Sequence, residues 1–320
     1  MALLLQYTLI YASVLMLVAL GGCFSERSGV INLGLEGTMV IGALGGALVM
    51  KYMGSLPSAL MILAVVIGSI LFGMVYSLLL AVSAINFKAD QTLIGTAMNL
   101  LGTAAATVFV KAINMAENVN NVSSSIQYIE QRKAFSAFKI GNFEVSWFMI
   151  LAVVLLIIAH IVLYKTRFGL RLRACGEHPQ AADSVGINVY KMRYAGVLIS
   201  GLFGGLGGIV YITAGVSEWK FENGVAGFGF LALAVMIFGN WKPLNIAGAA
   251  LLFGLFKCIA ASYTSIDING DGVFMLAEIG VSPHLYRMLP YLITLIVLAF
   301  TSKKSRAPKA EGIPYDKGQR

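Results

Sequence analysis

Charge is what this chain has least of. Only 12% of its 320 residues are Asp, Glu, Lys or Arg, against about 25% in an ordinary soluble domain. With 58% hydrophobic residues as well, the chain takes lipid as its solvent. Its three cysteines, Cys23, Cys175 and Cys258, show no CxxC spacing, which speaks against a disulfide framework or a zinc site. His160, His178 and His284 are the only histidines, they lie in different regions, and HExxH is missing, so a membrane-embedded enzyme lacks its clustered acid, base or metal set. The pattern G-x-x-x-x-G-K-[ST] is absent too. The chain therefore has no phosphate-cradling loop of its own, and ATP chemistry, if it drives anything here, belongs to another subunit. Nor are there the ~10-residue segments of alternating polarity that build an outer-membrane barrel.

What the chain does have is apolar runs near the ~20 residues that carry a helix across a roughly 30 Å hydrocarbon core. They cover 3 to 22, 37 to 52, 57 to 85, 90 to 110, 145 to 164, 194 to 214, 225 to 240, 243 to 263 and 285 to 302. A helix satisfies its own backbone in lipid. The expected fold is all-α: a polytopic transmembrane bundle of about nine spans over residues 1 to 302, with a basic tail from 303 to 320. The first run lacks a basic start and a small-residue cleavage site, so it reads as a retained helix.

Lysine and arginine set the orientation. Residues 165 to 193 hold Lys165, Arg167, Arg171, Arg173, Lys191 and Arg193, and the tail holds Lys303, Lys304, Arg306, Lys309, Lys317 and Arg320. Both segments are expected in the cytoplasm. The N-terminus and an Asn-rich loop at 111 to 144 then fall outside, and residues 23 to 36 inside. The net charge of +8 reports this topology and contact with anionic lipid, not a nucleic-acid surface.

Within the cytoplasmic loop 167 to 193, the stretch Glu177 to Val185 is polar and Ala-rich, carries Pro179 near a first-turn position and stops at Gly186. That reads as one short surface helix, equally a plug for a groove on a cytoplasmic partner or a plain connector. In FSERSGVINLGLEG, residues 24 to 37, Glu26 and Arg27 are expected to stay wet at the end of the first span. Asn32 and Glu36 are four residues apart and share a helical face, and Gly29, Gly34 and Gly37 allow a break. An acid inside a bilayer is a functional candidate, and broken helices recur at transport sites. The plain alternative is packing against a neighbouring helix. FENGVAGFGF, residues 221 to 230, echoes SERSGVINLG, with Gly224, Val225 and Gly229 opposite Gly29, Val30 and Gly34. Phe228 and Phe230 thereby become secondary pathway candidates, with packing as the alternative.

Asn99 reads as a polar pathway group or an interhelical hydrogen bond, and Lys257 as a side chain snorkelling outward, with a pathway role as the alternative. SGLFGGLGG, residues 200 to 208, reads as a close-packing face. DINGDGVFMLAE, residues 267 to 278, fits the twelve-position calcium loop, with Asp267, Asn269, Asp271 and Glu278 as ligands and Gly272 at the turn. An acidic, glycine-rich external turn would look the same.

GEHPQAADSVGI, residues 176 to 187, resembles the coupling loop of permease subunits of bacterial ABC importers, in the branch serving ribose, branched-chain amino acids and nucleosides. FSERSGVINLGLEGTMVIGA, residues 24 to 43, is similar to the N-terminal signature of that branch, most closely its nucleoside and simple-sugar permeases, and LPYLITLIVL at 289 to 298 to its ending. A stretch near 266 to 283 departs from the pattern as an insertion. The resemblance implies that Gly176, Glu177, His178, Pro179, Ala181, Ala182 and Gly186 contact an ATPase subunit, which binds the ATP and magnesium. It implies that Asn32 and Glu36 border the pathway, that a second permease, a different chain, completes it, and that an external solute-binding protein or lipoprotein delivers nucleosides or related sugars. Calcium at 267 to 278 is no part of that implication. An ion-coupled secondary transporter and a membrane scaffold are the alternatives; the first would lean on Glu36 as its relay.

Overall fold

The computed structural model describes residues 2–129, 135–141, 143–214, 218–262, 282–301 and 306–318. The calcium-loop reading at 267 to 278 lies outside them.

Helix α1, Ala2–Arg27, is followed by an irregular turn and α2, Leu35–Tyr52. Helix α3, Ser58–Ala81, runs on into a π-helical turn, Val82–Asn86, and α4 spans Gln91–Glu117. Strand β1, Ser125–Gln127, precedes the hairpin of β2, Ser136–Ile140, and β3, Phe143–Ser146. Then come α5, Trp147–Lys165, α6, Arg167–Glu177, α7, Pro179–Ser184, and α8, Val189–Thr213. Strand β4, Glu218–Lys220, pairs antiparallel with β1, Ser125 opposite Lys220. A 3-10 turn, Phe221–Asn223, leads to α9, Phe228–Phe238, α10, Pro243–Ser262, and α11, Pro283–Thr301.

Local chemistry starts these helices where they start. Asp90, Ser146, Thr166 and Asn188 each accept a hydrogen bond from a first-turn amide of α4, α5, α6 and α8. Helix α1 is apolar on all sides and is therefore the buried axis of the bundle; Val14, Leu15, Leu17, Val18, Ala19 and Leu20 are fully enclosed. Against it and α2 packs α8, whose glycines let backbones touch. A Cβ on Gly205 would run into Ser69 and Gly73 of α3, and one on Gly42 of α2 would run into Gly205. Lipid gives helices no hydrophobic reason to associate, so this closeness supplies van der Waals contact in its place.

The small sheets gather at one end of the bundle, called here the sheet face. Helices α6 and α7, the Lys88 turn and residues 306–318 gather at the other, the elbow face. The polar stretch expected as an Asn-rich loop is more ordered than that reading: α4 continues to Glu117, and buried Asn114 donates to the carbonyls of Ser123 and Ser125, both at 2.9 Å. Glu177 to Val185 is likewise not one helix. Helix α6 runs to Glu177, bends at His178, and α7 begins with Pro179 at its first turn.

Each expected span falls on a helix, and six described helices, α1, α3, α4, α5, α8 and α10, are long and apolar enough to cross a membrane. The run at 225 to 240 is different. It is helical for only 11 residues, about 16 Å, or half a bilayer core.

Candidate functional site

Two interruptions of helical backbone meet inside the bundle. The first follows α1. Ser28 Oγ donates to Ser25 O at 2.6 Å, Ser25 Oγ to Val30 O at 2.7 Å, and Gly29 turns the chain at φ 95°. Side chains from two other helices then stitch it. Asn32 Nδ2 donates to Ser200 Oγ at 2.8 Å while its Oδ1 accepts from Gly34 N at 3.0 Å. Asn99 accepts from Gly37 N at 2.9 Å and donates to Leu33 O at 2.8 Å. Both asparagines are buried with their amides engaged on both sides.

The second interruption precedes α9, where Gly224, Ala226 and Gly227 all have positive φ. Phe228 N finds the carbonyl of Val225, but the amides of Gly227 and Gly229 are left for a side chain to satisfy. Glu36 satisfies them: its Oε1 accepts from Gly227 N at 2.7 Å, its Oε2 from Gly229 N at 2.6 Å, and Phe230 N points at the same carboxylate. A carboxylate at a helix N-terminus is favoured by both the orphan donors and the helix dipole. The weak echo between residues 25–34 and 221–230 thus has a structural counterpart: Gly29 and Gly224 each mark a break, and Glu36 of one joins Gly229 of the other.

The depth of this junction follows from α4. Gln91, its first residue, accepts from Ile31 N at 2.7 Å, and Asn99 holds Gly37. Eight residues of helix place Glu36 about 12 Å in from the elbow end of α4, well inside a ~30 Å core.

Aromatic rings surround the junction. Phe228 packs against Tyr211 at 4.6 Å and Tyr11 at 5.6 Å between ring centroids, and Tyr211 meets Trp219 at 5.3 Å. Lys257 corrects its expected outward direction. Its Nζ stands 4.8 Å above the Phe228 ring, within electrostatic reach of Glu36, because a ring face and a carboxylate offer an ammonium more than the lipid rim does. Phe228 is fully buried, whereas Phe230 is half exposed. Tyr11 and Tyr211 escaped sequence reasoning, since a tyrosine in an apolar run carries no signal of which ring it will meet.

At the elbow face, Glu26 and Arg27 overturn the expectation that they stay wet. Glu26 is 3% exposed and accepts from Trp241 Nε1 at 2.6 Å. The carbonyl of Trp241 in turn receives Arg27 Nη2 at 3.1 Å and Cys23 Sγ at 3.3 Å. The turn Asn240 and Trp241 make, both at φ 53°, is what brings that carbonyl and indole to α1. Arg27 Nη1 reaches Glu177 at 3.9 Å, so the end of α6 sits on the end of α1.

Of the residues nominated for coupling, Gly176, Pro179 and Ala182 face inward, Glu177 is half-buried, and His178, Ala181 and Gly186 are exposed. Ala182 packs with Cys175, Val189 and Tyr315 in a small core beneath the elbow. Burial pushes the Cys175 thiol up to about 11, so it is a packing group and not a nucleophile. Among the described residues no three His, Cys, Asp or Glu side chains come together as a metal site.

Residues 4–298 match the family described as branched-chain amino acid transport system / permease component. The chain is 41% identical over 317 residues to the guanosine ABC transporter permease protein NupQ of Bacillus subtilis, covering 98% of this chain and 96% of that one. It is 40% identical over 315 residues to the nucleoside ABC transporter permease protein NupC of Lactococcus lactis, covering 97% and 96%. More distantly, it is 22% identical over 312 residues to NupB of the same Lactococcus strain, covering 96% and 83%. A match over nearly the whole chain, on a helical bundle in which six described helices are long and apolar enough to cross a membrane, places this protein in the permease-component family of branched-chain amino acid transport systems.

Proposed function

We propose that the chain is the membrane-spanning subunit of an ATP-driven importer for nucleosides, in the cytoplasmic membrane with its elbow face inward and its N-terminus outside. The observation that carries this reading is the combination, in one bundle, of an exposed elbow for a partner and a double helix break in the membrane core. The substrate class rests on the nucleoside and guanosine permeases to which the chain is similar along its length. Aromatic faces at Phe230, Tyr11 and Tyr211, arranged around the buried Phe228, suit a flat base, and the polar groups around Glu36 suit a sugar.

In this reading an external binding protein, free or lipid-anchored, delivers solute, and the ATPase docks on His178, Ala181 and Gly186. ATP and magnesium stay on that partner, and no bond in the solute changes. The second permease is a different chain, as the coexistence of NupC and NupB in one Lactococcus strain suggests. Basic residues on the elbow face contact anionic lipid. The ion-coupled alternative is disfavoured because the one acid it would use, Glu36, is committed to backbone amides.

The test is reconstitution with the cognate ATPase, sister permease and binding protein. ATP-dependent guanosine uptake, lost together with ATPase copurification on Ala181→Asp, is the expected result. Uptake that follows an ion gradient without ATP would refute the reading.

A further inference from the structure

The basic tail does more than decorate the inner face. Residues 306–318 lie across the elbow face and touch the end of α6, α8, the first helix break, the α9–α10 turn and the turn before α4. Arg306 N donates to Asn240 Oδ1 at 3.0 Å in the α9–α10 turn. Ala310 N donates to Gly176 O at 2.8 Å at the end of α6, and two residues later Gly312 N donates to Gly29 O at 3.2 Å in the first helix break. Arg193 of α8 reaches in to donate from Nη1 to Ile313 O at 3.0 Å. Tyr315 packs edge-on against Tyr190, 5.3 Å between centroids, beside Cys175 and Ala182. Asp316 closes the strap on Lys88, Oδ2 to Nζ 2.8 Å, at the turn before α4.

The spacing of the two central bonds matters most. Only Glu311 stands between the residue bonded to the elbow and the residue bonded to the break, a reach of about 7 Å of chain. There is little slack. Gly29 cannot be pushed aside alone either: a Cβ there would meet Arg193 Nη2 at 2.9 Å and Ala310 O at 3.3 Å. Beyond Gly29 the chain runs through Asn32 to Glu36, whose carboxylate holds the N-terminus of α9.

Resting on the importer reading, we infer that residues 306–318 are the relay between elbow and pathway: displacement of α6 and α7 is carried through Ala310 and Gly312 onto Gly29, and so to the Glu36 junction. The strap is a positioning element that touches no solute. Its role separates two quantities that a merely structural role would move together, namely ATP hydrolysis by the assembly and solute uptake per ATP.

The experiment uses the reconstituted importer with wild type and three changes. One is a chain ending at Lys309. Another is Gly312→Val, which sets a side chain at φ 76° against Ile31. The last is Asp316→Lys, alone and with Lys88→Asp, since Asp tolerates the φ of 52° found at Lys88. The expected result is ATPase copurification and hydrolysis within about twofold of wild type, with uptake lowered at least about fivefold, the scale of a typical coupling energy. The double exchange restores uptake. Should uptake and hydrolysis fall in parallel, the strap only holds the elbow's shape and the inference fails; unchanged uptake in the shortened chain defeats it equally. If shortening keeps the chain out of the membrane, the point variants decide. Absence of ATP-driven uptake in wild type would strike the importer reading itself, and is recognised because no variant is needed to see it.

Discussion

Glu36 spends both carboxylate oxygens on amides of another element, and that shapes what its substitution does. Hydrogen bonds to a charged group contribute about 1.5–3 kcal/mol each. Glu36→Gln keeps one acceptor but turns an NH₂ toward the Gly229 amide, donor against donor. Loss of one such bond and exposure of that clash lowers uptake by at least about tenfold, one factor of ten being about 1.4 kcal/mol, while membrane levels of the chain hold. Uptake normalised to immunoblotted protein measures this, and unchanged uptake would remove Glu36 from the pathway. A second residue-scale expectation concerns Gly229. A Cβ there would meet the Glu36 Cα at 2.6 Å, so Gly229→Ala separates α9 from α2 and lowers the detergent melting temperature. That Glu36 must find partners was legible, because an isolated acid in apolar sequence is conspicuous. That its partners are backbone amides was not, since every residue but proline carries one.

At the scale of elements, the strap is held by two groups that titrate in opposite senses. Burial pushes the Glu311 carboxyl above its ordinary 4.5, with the hydrogen bond to Glu26 and the charge of Arg27 pulling it down. Glu26, Arg27 and, through its bond to Glu26, Trp241 are the groups that face Glu311. The hydrogen bond from Lys88 holds Asp316 below its ordinary 3.8. The signs then separate. The contribution of Asp316 is complete above its ordinary range and disappears as pH falls through the lowered value. Glu311 binds its proton more tightly docked than undocked, so its contribution is complete below 4.5 and fades as pH climbs through the raised value. Amide exchange at residues 310–316, corrected for intrinsic rate, should lose protection as pH climbs from 4.5 through the raised Glu311 value. Glu311→Gln should flatten that trend, and a slope that survives that change would contradict this account. The helices themselves were largely visible beforehand, since apolar runs, caps and the Pro179 start are local signals. The order of the strap was not. Residues 306–318 are polar and basic, and the groups that give them somewhere to bind, the carbonyls of Gly29 and Gly176, the guanidinium of Arg193, Asn240 and Lys88, are all distant in sequence.

For the whole molecule the expectation concerns orientation. The three native cysteines are all buried, so one added cysteine reports its own side of the membrane. Asn120→Cys on the sheet face should react with a membrane-impermeant maleimide on intact cells, and Val185→Cys, on the exposed elbow, only after lysis. The reverse pattern would invert the topology and with it the side on which ATP acts. Compaction of the bundle rests on α8: Gly205→Val would set two methyl groups into the backbone of Ser69, an overpacking cost of at least about 1–3 kcal/mol, read as a lower melting temperature in detergent.

By itself the sequence determined the solvent, the helical class, the approximate spans and the presence of an elbow, because these depend on composition and on patterns within about 20 residues. It also singled out Asn32, Glu36, Asn99 and Lys257 as polar groups in apolar surroundings. Only the tertiary structure decided what each of them meets. Glu36 and its amides are 191 and 193 residues apart, Glu26 and Trp241 are 215, and β1 finds β4 across almost a hundred. A buried polar group must find a partner somewhere, which the sequence can state. Which partner it finds depends on how close the glycines of α2, α3 and α8 allow their backbones to come, and that is a property of the packed bundle alone.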